Sequence, residues 1–401
     1  MSCVGIVAEY NPFHNGHRYH IAEAKRLTGA ERAVVVMSAD FVQRGEPACA
    51  DKFTRAKWAL ENGADMVLEL PEVYSCACAE RFASGAIGIL AASGLVDSFC
   101  FGSECGDIAR LAKLAREGVD REKLGEALGR GVSYPAAMAE ASDGALGPND
   151  VLGVEYLRAL NRMNSPINPF AIRRLGSGYG ESELAGEYSS AAAIRRALVT
   201  AGEVGRISPS AFDGLRAALP AKVLEDIAGL IRDGAFPADS ARLSDAVIYK
   251  LRCMTPDEIA ALPEAGEGLE NLFARHSVAE GELDRMLAAV KSKRYTMARL
   301  KRISMCALLG VTEELQSAAC ADAEYGYIRV LGVREDAQEL LGELAEKAKL
   351  PVVIRSADRN ALNEKAARVM RITELAHRIF PLARPYEFGA EEDAGRRLVT
   401  V

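Results

Sequence analysis

The chain has 401 residues, a formal net charge of −7 at pH 7, and 49% hydrophobic against 26% charged residues. That is the balance of a globular protein with sizeable buried cores, long enough for two or three domains. It excludes a surface coated with nucleic-acid-binding charge, though not a local basic patch.

No apolar run approaches the roughly 18 residues of a membrane span. The best, Ala86 to Val96, is broken by Gly88, Ser93 and Gly94. No basic stretch followed by an apolar one opens the chain, so no signal peptide is read and a cytoplasmic protein is expected. The nine cysteines include two close pairs, Cys76 with Cys78 and Cys100 with Cys105. Neither spacing suits zinc, and the cysteines read as reduced core thiols with no metal site among them.

The first predicted strand, Ser2 to Ala8, runs into "GIVAEYNPFHNGH", Gly5 to His17. Three of the five histidines, His14, His17 and His20, fall here. A helix over Gly16 to Thr28 follows, with His17, His20, Ile21, Ala24 and Leu27 on one face and Gly29 as C-cap. "AVVVMS" (Ala33 to Ser38) is a β-branched strand, Asp51 caps a helix running through Asn62, and "DMVLEL" (Asp65 to Leu70) is a third strand. A helix over Glu80 to Ala92 leads to "SFCFG" (Ser98 to Gly102). This alternation predicts βαβ units and a Rossmann-like parallel α/β sheet with right-handed crossovers over residues 1–200.

From about Ile207 to Val311 leucine and alanine recur at helical spacing, predicting a helical region over 201–320. The strand-like "YIRVLG" and "PVVIRS" flank the helical "DAQELLGELAEKAKL". They predict a small α/β unit over 321–401.

Ligands of open parallel sheets bind beyond the carboxyl ends of the strands. The histidine motif sits there, where a helix N-terminus offers unpaired N–H groups and partial positive charge to phosphate. Imidazoles at that place can stabilise charge on a breaking phosphoanhydride, and Gly16 lets the backbone approach a ligand. A zinc site from His14, His17 and His20 lacks an evident fourth ligand. Taken alone, His20 reads as a packed structural histidine.

"HNGH" has the HxGH form of the HIGH-type nucleotidyltransferases. The whole stretch resembles the signature of one branch, the bacterial tRNA(Met) cytidine acetate ligases. The likeness continues through "MSADFVQRGEPACADKFTRAKWAL", "GADMVLELP", "PNDVLGVEYLRAL", "SSAAAIRRAL", "KRYTMARLKR" and "YIRVLG". It implies a ligase that uses ATP and acetate to make acetyl-adenylate, releasing pyrophosphate. The acetyl group then passes to the wobble cytidine of elongator tRNA(Met), giving 4-acetylcytidine and AMP, with Mg²⁺ expected beside ATP.

The resemblance assigns ATP binding to Val7, Ala8, Glu9, Tyr10, Asn11, Pro12, Phe13, His14, Asn15, Gly16, His17, Arg18, Tyr19 and His20. It adds Gly102, Asn149, Arg173 and Arg174 (in "IRRLGSGY"), then Ser190 and Arg195, with Arg195 toward the triphosphate. His14 and His17 would stabilise the transition state. Three departures stand out: Ala39 and Asp40 replace the usual Gly and Asn, and Ala192 replaces the Thr of the phosphate motif.

"KSKRYTMARLKR" carries six basic residues in twelve: Lys291, Lys293, Arg294, Arg299, Lys301 and Arg302. From composition a solvated helix face explains them equally well. With the resemblance they become a tRNA-binding segment, Tyr295 stacking on a base. The rival readings are an adenylyltransferase acting on a phosphorylated metabolite and a non-catalytic nucleotide- and RNA-binding assembly factor. No GxGxxG follows the first strand, which disfavours a dehydrogenase.

Overall fold

The computed structural model describes residues 2–142, 146–175, 184, 186–204, 209–386 and 389–401. Ile207, where the helical region was expected to begin, and Gly176 to Tyr179 of "IRRLGSGY" lie outside them.

Ten strands are described: β1 (Cys3–Ala8), β2 (Arg32–Ser38), β3 (Phe41–Val42), β4 (Glu46–Pro47), β5 (Met66–Leu70), β6 (Ser98–Ser103), β7 (Asn168–Arg173), β8 (Ile328–Val333), β9 (Val352–Val353) and β10 (Val399–Thr400). The main sheet runs β10-β8-β5-β2-β1-β6-β7, with β9 on β8, and β3 and β4 form a separate hairpin. β1 lies parallel to β2 (Val4↔Ala33) and to β6 (Val4↔Ser98). The chain thus builds outward in both directions from β1. The reversal between β1 and β6 is the switch point at which such sheets open a ligand crevice.

Local chemistry explains the elements around it. Helix α1 (Asn15–Thr28) ends at Gly29, whose φ of 67° suits a residue without a Cβ. Helix α2 (Lys52–Glu61) starts at Asp51, whose carboxylate accepts from the N–H groups of Phe53 and Thr54. The β-branched β2 is buried along nearly its whole length, as a central parallel strand requires. β7 and the β3–β4 hairpin were not foreseen; each is short or weakly patterned.

The described residues between 209 and 321 are mostly helical, and Leu243, Val247, Phe273, Leu287 and Ile303 pack in a core shared with Phe41, Cys76 and Phe380. The stretch 321–401 departs from expectation. Instead of forming a unit of its own, it adds β8 antiparallel to β5 (Met66↔Val333) and β10 parallel to β8. Buried charges clamp this join: Lys52 Nζ lies 2.5 Å from Glu69 Oε1 and 3.1 Å from Asp393 Oδ2, and Arg329 pairs with Asp393. Each carboxylate meets a cation, which a buried charge needs.

Asp40 belongs to the same join and does not line the cleft. It accepts from Lys52 N (2.8 Å) and bonds His377 Nδ1 (2.7 Å). Burial opposes its charge, but His377, Lys52 and Arg55 prevail and hold its carboxyl at about 2.

Candidate active site

The loop leaving β1 turns sharply. Tyr10 adopts a φ of 47°, rare for a residue with a side chain and a feature of functional turns. It packs edge-on against His17, with ring centres 4.9 Å apart, and against Phe13. These apolar rings hold the imidazoles in place.

Both histidines act on the helix start. His14 is the N-cap of α1, and its Nδ1 accepts from Gly16 N at 3.0 Å. His17 Nδ1 reaches back to accept from His14 N at 3.2 Å. This is a capping box built from imidazoles, the two rings stacked 3.7 Å apart. Since each Nδ1 accepts, each neutral ring carries its proton on Nε2. Burial, then Arg174 and Arg195, push His14 down to about 3. Burial, then His14 and Arg174, hold His17 well below the usual histidine range. At neutral pH the pair therefore presents uncharged N–H donors, and the positive charge comes from arginine. The helix start is thus not an open ring of N–H groups, because Gly16 N is already engaged. Gly16 itself makes room for the His14 ring, since a Cβ there would lie 2.8 Å from His14 Cε1.

A cavity of about 1070 Å³ opens over this motif. Val7, Ala8, Glu9, His14, Gly16, His17, Tyr19 and His20 line it, with Gly102, Asn149, Arg173, Arg174 and Ser190. His20, pushed down to about 4 by burial and Arg174, leaves its buried Nε2 unpaired. The remaining expected positions serve otherwise. Tyr10, Pro12 and Phe13 support the loop from beneath, Arg18 is exposed, and Asn15 donates to Ala217 O. Asn11 Oδ1 accepts from Cys49 N, and its carbonyl accepts from Arg195 Nη1 at 2.7 Å. Arg195 therefore buttresses the loop from below, close enough to His14 to help lower its pKa, though it is not among the residues lining the cavity. The Ser190 hydroxyl accepts from Ala193 N, and Ala192 is exposed.

The opposite wall comes from the basic segment: Arg294, Thr296, Arg299 and Arg302 line the same cavity, with Glu264, Gln43 and Arg44. Only part of the segment faces outward. Lys291, Lys293 and Arg294 are exposed. Tyr295 is buried, its hydroxyl donating to Glu267 O and its ring lying under the Arg299 guanidinium. It is a core aromatic, not a stacking platform. Lys301 pairs with Glu46, and Arg302 makes two 2.6 Å bonds to Glu264. These two were expected on RNA phosphate and are instead spent within the protein.

Sequence reasoning missed Gln43, Arg44, Tyr188 and Glu264 as lining residues. Gln43 and Arg44 lie in the turn of a stretch quoted for its likeness but were not singled out, and Tyr188 and Glu264 sit in turns outside any quoted stretch. Among the described residues no three His, Cys, Asp or Glu side chains gather as a metal site.

The HIGH Nucleotidyl Transferase family matches residues 1–393. A "tRNA(Met) cytidine acetate ligase" of Acetivibrio thermocellus is 36% identical over 375 residues, covering 89% of each chain. One from Alkaliphilus metalliredigens is 33% identical, covering 96% of this chain and 94% of the other. Crystal structures of Thermotoga maritima TmcAL match over 100% of both chains at 31% identity. The structure bound with alpha-thio ATP has a TM-score of 0.88 and the apo form 0.89. The HNGH turn, the sheet order and the full-length likeness agree: the chain belongs to the HIGH nucleotidyltransferase family, in the branch of the tRNA(Met) cytidine acetate ligases.

Proposed function

We propose that the chain is an ATP-dependent ligase that acetylates the wobble cytidine of elongator tRNA(Met), working in the cytoplasm. The observation that carries this reading is a single cleft with two chemically different walls. One bears paired neutral imidazole donors beside Arg173 and Arg174, suited to a triphosphate; the other bears exposed cations suited to RNA. At about 1070 Å³ the cleft lies at the upper end of small-molecule sites, with room for a nucleotide and an incoming base.

In the first step an acetate oxygen attacks the α-phosphorus and the bond to the β-phosphate breaks. Pyrophosphate leaves, with His14 and His17 donating Nε2–H bonds to the developing charge. In the second step the cytidine N4 attacks the acetyl carbonyl, AMP departs, and N4 gives up one proton. Mg²⁺ would accompany the nucleotide as part of that substrate and would offset the charge of its phosphates. No described helix is long and apolar enough to cross a membrane.

Exchange of labelled pyrophosphate into ATP, with and without acetate and tRNA, tests the reading. Acetate-dependent exchange without tRNA, and 4-acetylcytidine formation with it, are expected. Exchange that ignores acetate would make the chain an adenylyltransferase of another kind, and ATP and RNA binding with no exchange would make it an assembly factor.

A further inference from the structure

Two carboxylates tie the turn after β6 to the start of the helix Pro148–Arg162, reaching across in opposite directions. Buried Asp150 accepts through Oδ1 from Ser103 Oγ, Glu104 N (2.9 Å) and Cys105 N (3.3 Å), and through Oδ2 from Gly147 N (3.2 Å). Glu104 reciprocates: Oε2 accepts from Asp150 N (2.9 Å), and Oε1 accepts from both Asn149 N (3.2 Å) and Asn149 Nδ2. A carboxylate oxygen in this arrangement only accepts, so the Asn149 amide must turn its NH₂ toward Glu104. The carbonyl Oδ1 is then on the opposite edge of the amide, in a residue that lines the cavity while Glu104 does not.

We infer that Glu104 is a positioning residue for nucleotide binding. It locks the Asn149 amide so that an acceptor faces the bound nucleotide, and the site therefore demands a hydrogen-bond donor there, a ribose hydroxyl or a base amine. The inference rests on the nucleotide reading of this cavity. Gly147 is part of the device. A Cβ there would lie 2.5 Å from Glu104 Cδ and 2.7 Å from its Oε2, so even alanine pushes the carboxylate aside. The φ of −77° and ψ of 170° at Gly147 suit any residue, so the glycine answers to the carboxylate and not to the backbone.

Calorimetric ATP affinity tests this without requiring turnover. Glu104→Gln and Gly147→Ala are each expected to weaken ATP binding about tenfold, the effect of one misdirected polar contact, with helix content unchanged. Asn149→Ala should cost about the same, and adding Glu104→Gln to it should cost nothing more. Gly147→Ala retains every charge, so it carries the test if Glu104→Gln does not fold. Among 2′-deoxy-ATP, 3′-deoxy-ATP and purine riboside triphosphate, the one lacking the accepted donor should bind the native protein about tenfold more weakly than ATP. It should lose nothing further in Glu104→Gln. Full additivity of Glu104→Gln with Asn149→Ala would overturn the inference alone. So would native binding of all three analogues as tight as that of ATP. No ATP binding by the native protein would overturn both this inference and the nucleotide reading.

Discussion

The imidazole of His14 closes the first turn of α1 through Nδ1 and lines the cleft, so under the proposed mechanism one ring would serve both folding and chemistry. The two roles come apart by substitution. His14→Ala removes cap and donor together and is expected to lose about 1 kcal/mol of stability and 10² or more in pyrophosphate exchange. His14→Asn supplies another good cap and should recover the stability, read as thermal midpoint, without the exchange. If asparagine restores exchange as well, the Nε2–H is not the catalytic group. The clustering of His14, His17 and His20 was plain in the sequence because the motif is local. That the two Nδ1 atoms cap the helix was not, because ring orientation depends on the Tyr10 and Phe13 packing beneath. Nor was the Arg195 contact to Asn11, whose partners lie far apart along the chain.

The β3–β4 hairpin joins the two walls. Its turn gives Gln43 N to Glu9 Oε1 (3.0 Å) on the nucleotide side and takes Arg302 Nη1 on Gln43 O (3.3 Å) from the other. Gly45, at φ 73°, lies so close to the basic helix Met297–Leu309 that a Cβ would fall 2.3 Å from Arg302 N. The basic segment therefore divides in two. Neutralising the exposed Lys291, Lys293 and Arg294 should flatten the log–log salt dependence of tRNA affinity by up to roughly 0.7 to 0.9 per lost phosphate contact, with tRNA-free exchange unchanged. Arg302→Ala leaves Glu264 unpaired and releases the turn beside Glu9. It should cost about 2 kcal/mol of stability and reduce exchange even without tRNA. Unchanged exchange in Arg302→Ala would show that the walls act separately. That the basic stretch falls in a helical region was legible from the leucine and alanine spacing. Which of its cations remain available was not, because Glu46, Glu264 and Glu267 approach from other elements.

At the scale of the molecule, the strand character of "YIRVLG" was readable, but its neighbour was not, since a short apolar run names no partner. The join it makes carries a titration of its own. Burial, reinforced by Asp40 and Glu69, lifts Glu72 to about 8, while Lys52 opposes. The folded chain thus holds a proton that the unfolded chain releases near the ordinary 4.5. Stability from this group is complete below pH 4.5 and is lost as pH rises toward 8. Glu72→Gln should flatten the fall in thermal stability between pH 5 and 8, an effect on the order of a few kcal/mol at its limit. An unaltered pH slope in that variant would place the proton elsewhere.

The pairing of β5 with β8 also sets a timetable for synthesis. "MVLEL" is buried at every position in the finished sheet, yet Met66 waits for Val333, about 270 residues later. At about 5 to 20 residues per second the ribosome takes on the order of tens of seconds to deliver the partner. Throughout that interval the nascent sheet carries an open apolar margin, the kind of edge that recruits another chain. The late-arriving strand therefore shields the newborn protein from its neighbours as well as widening the sheet.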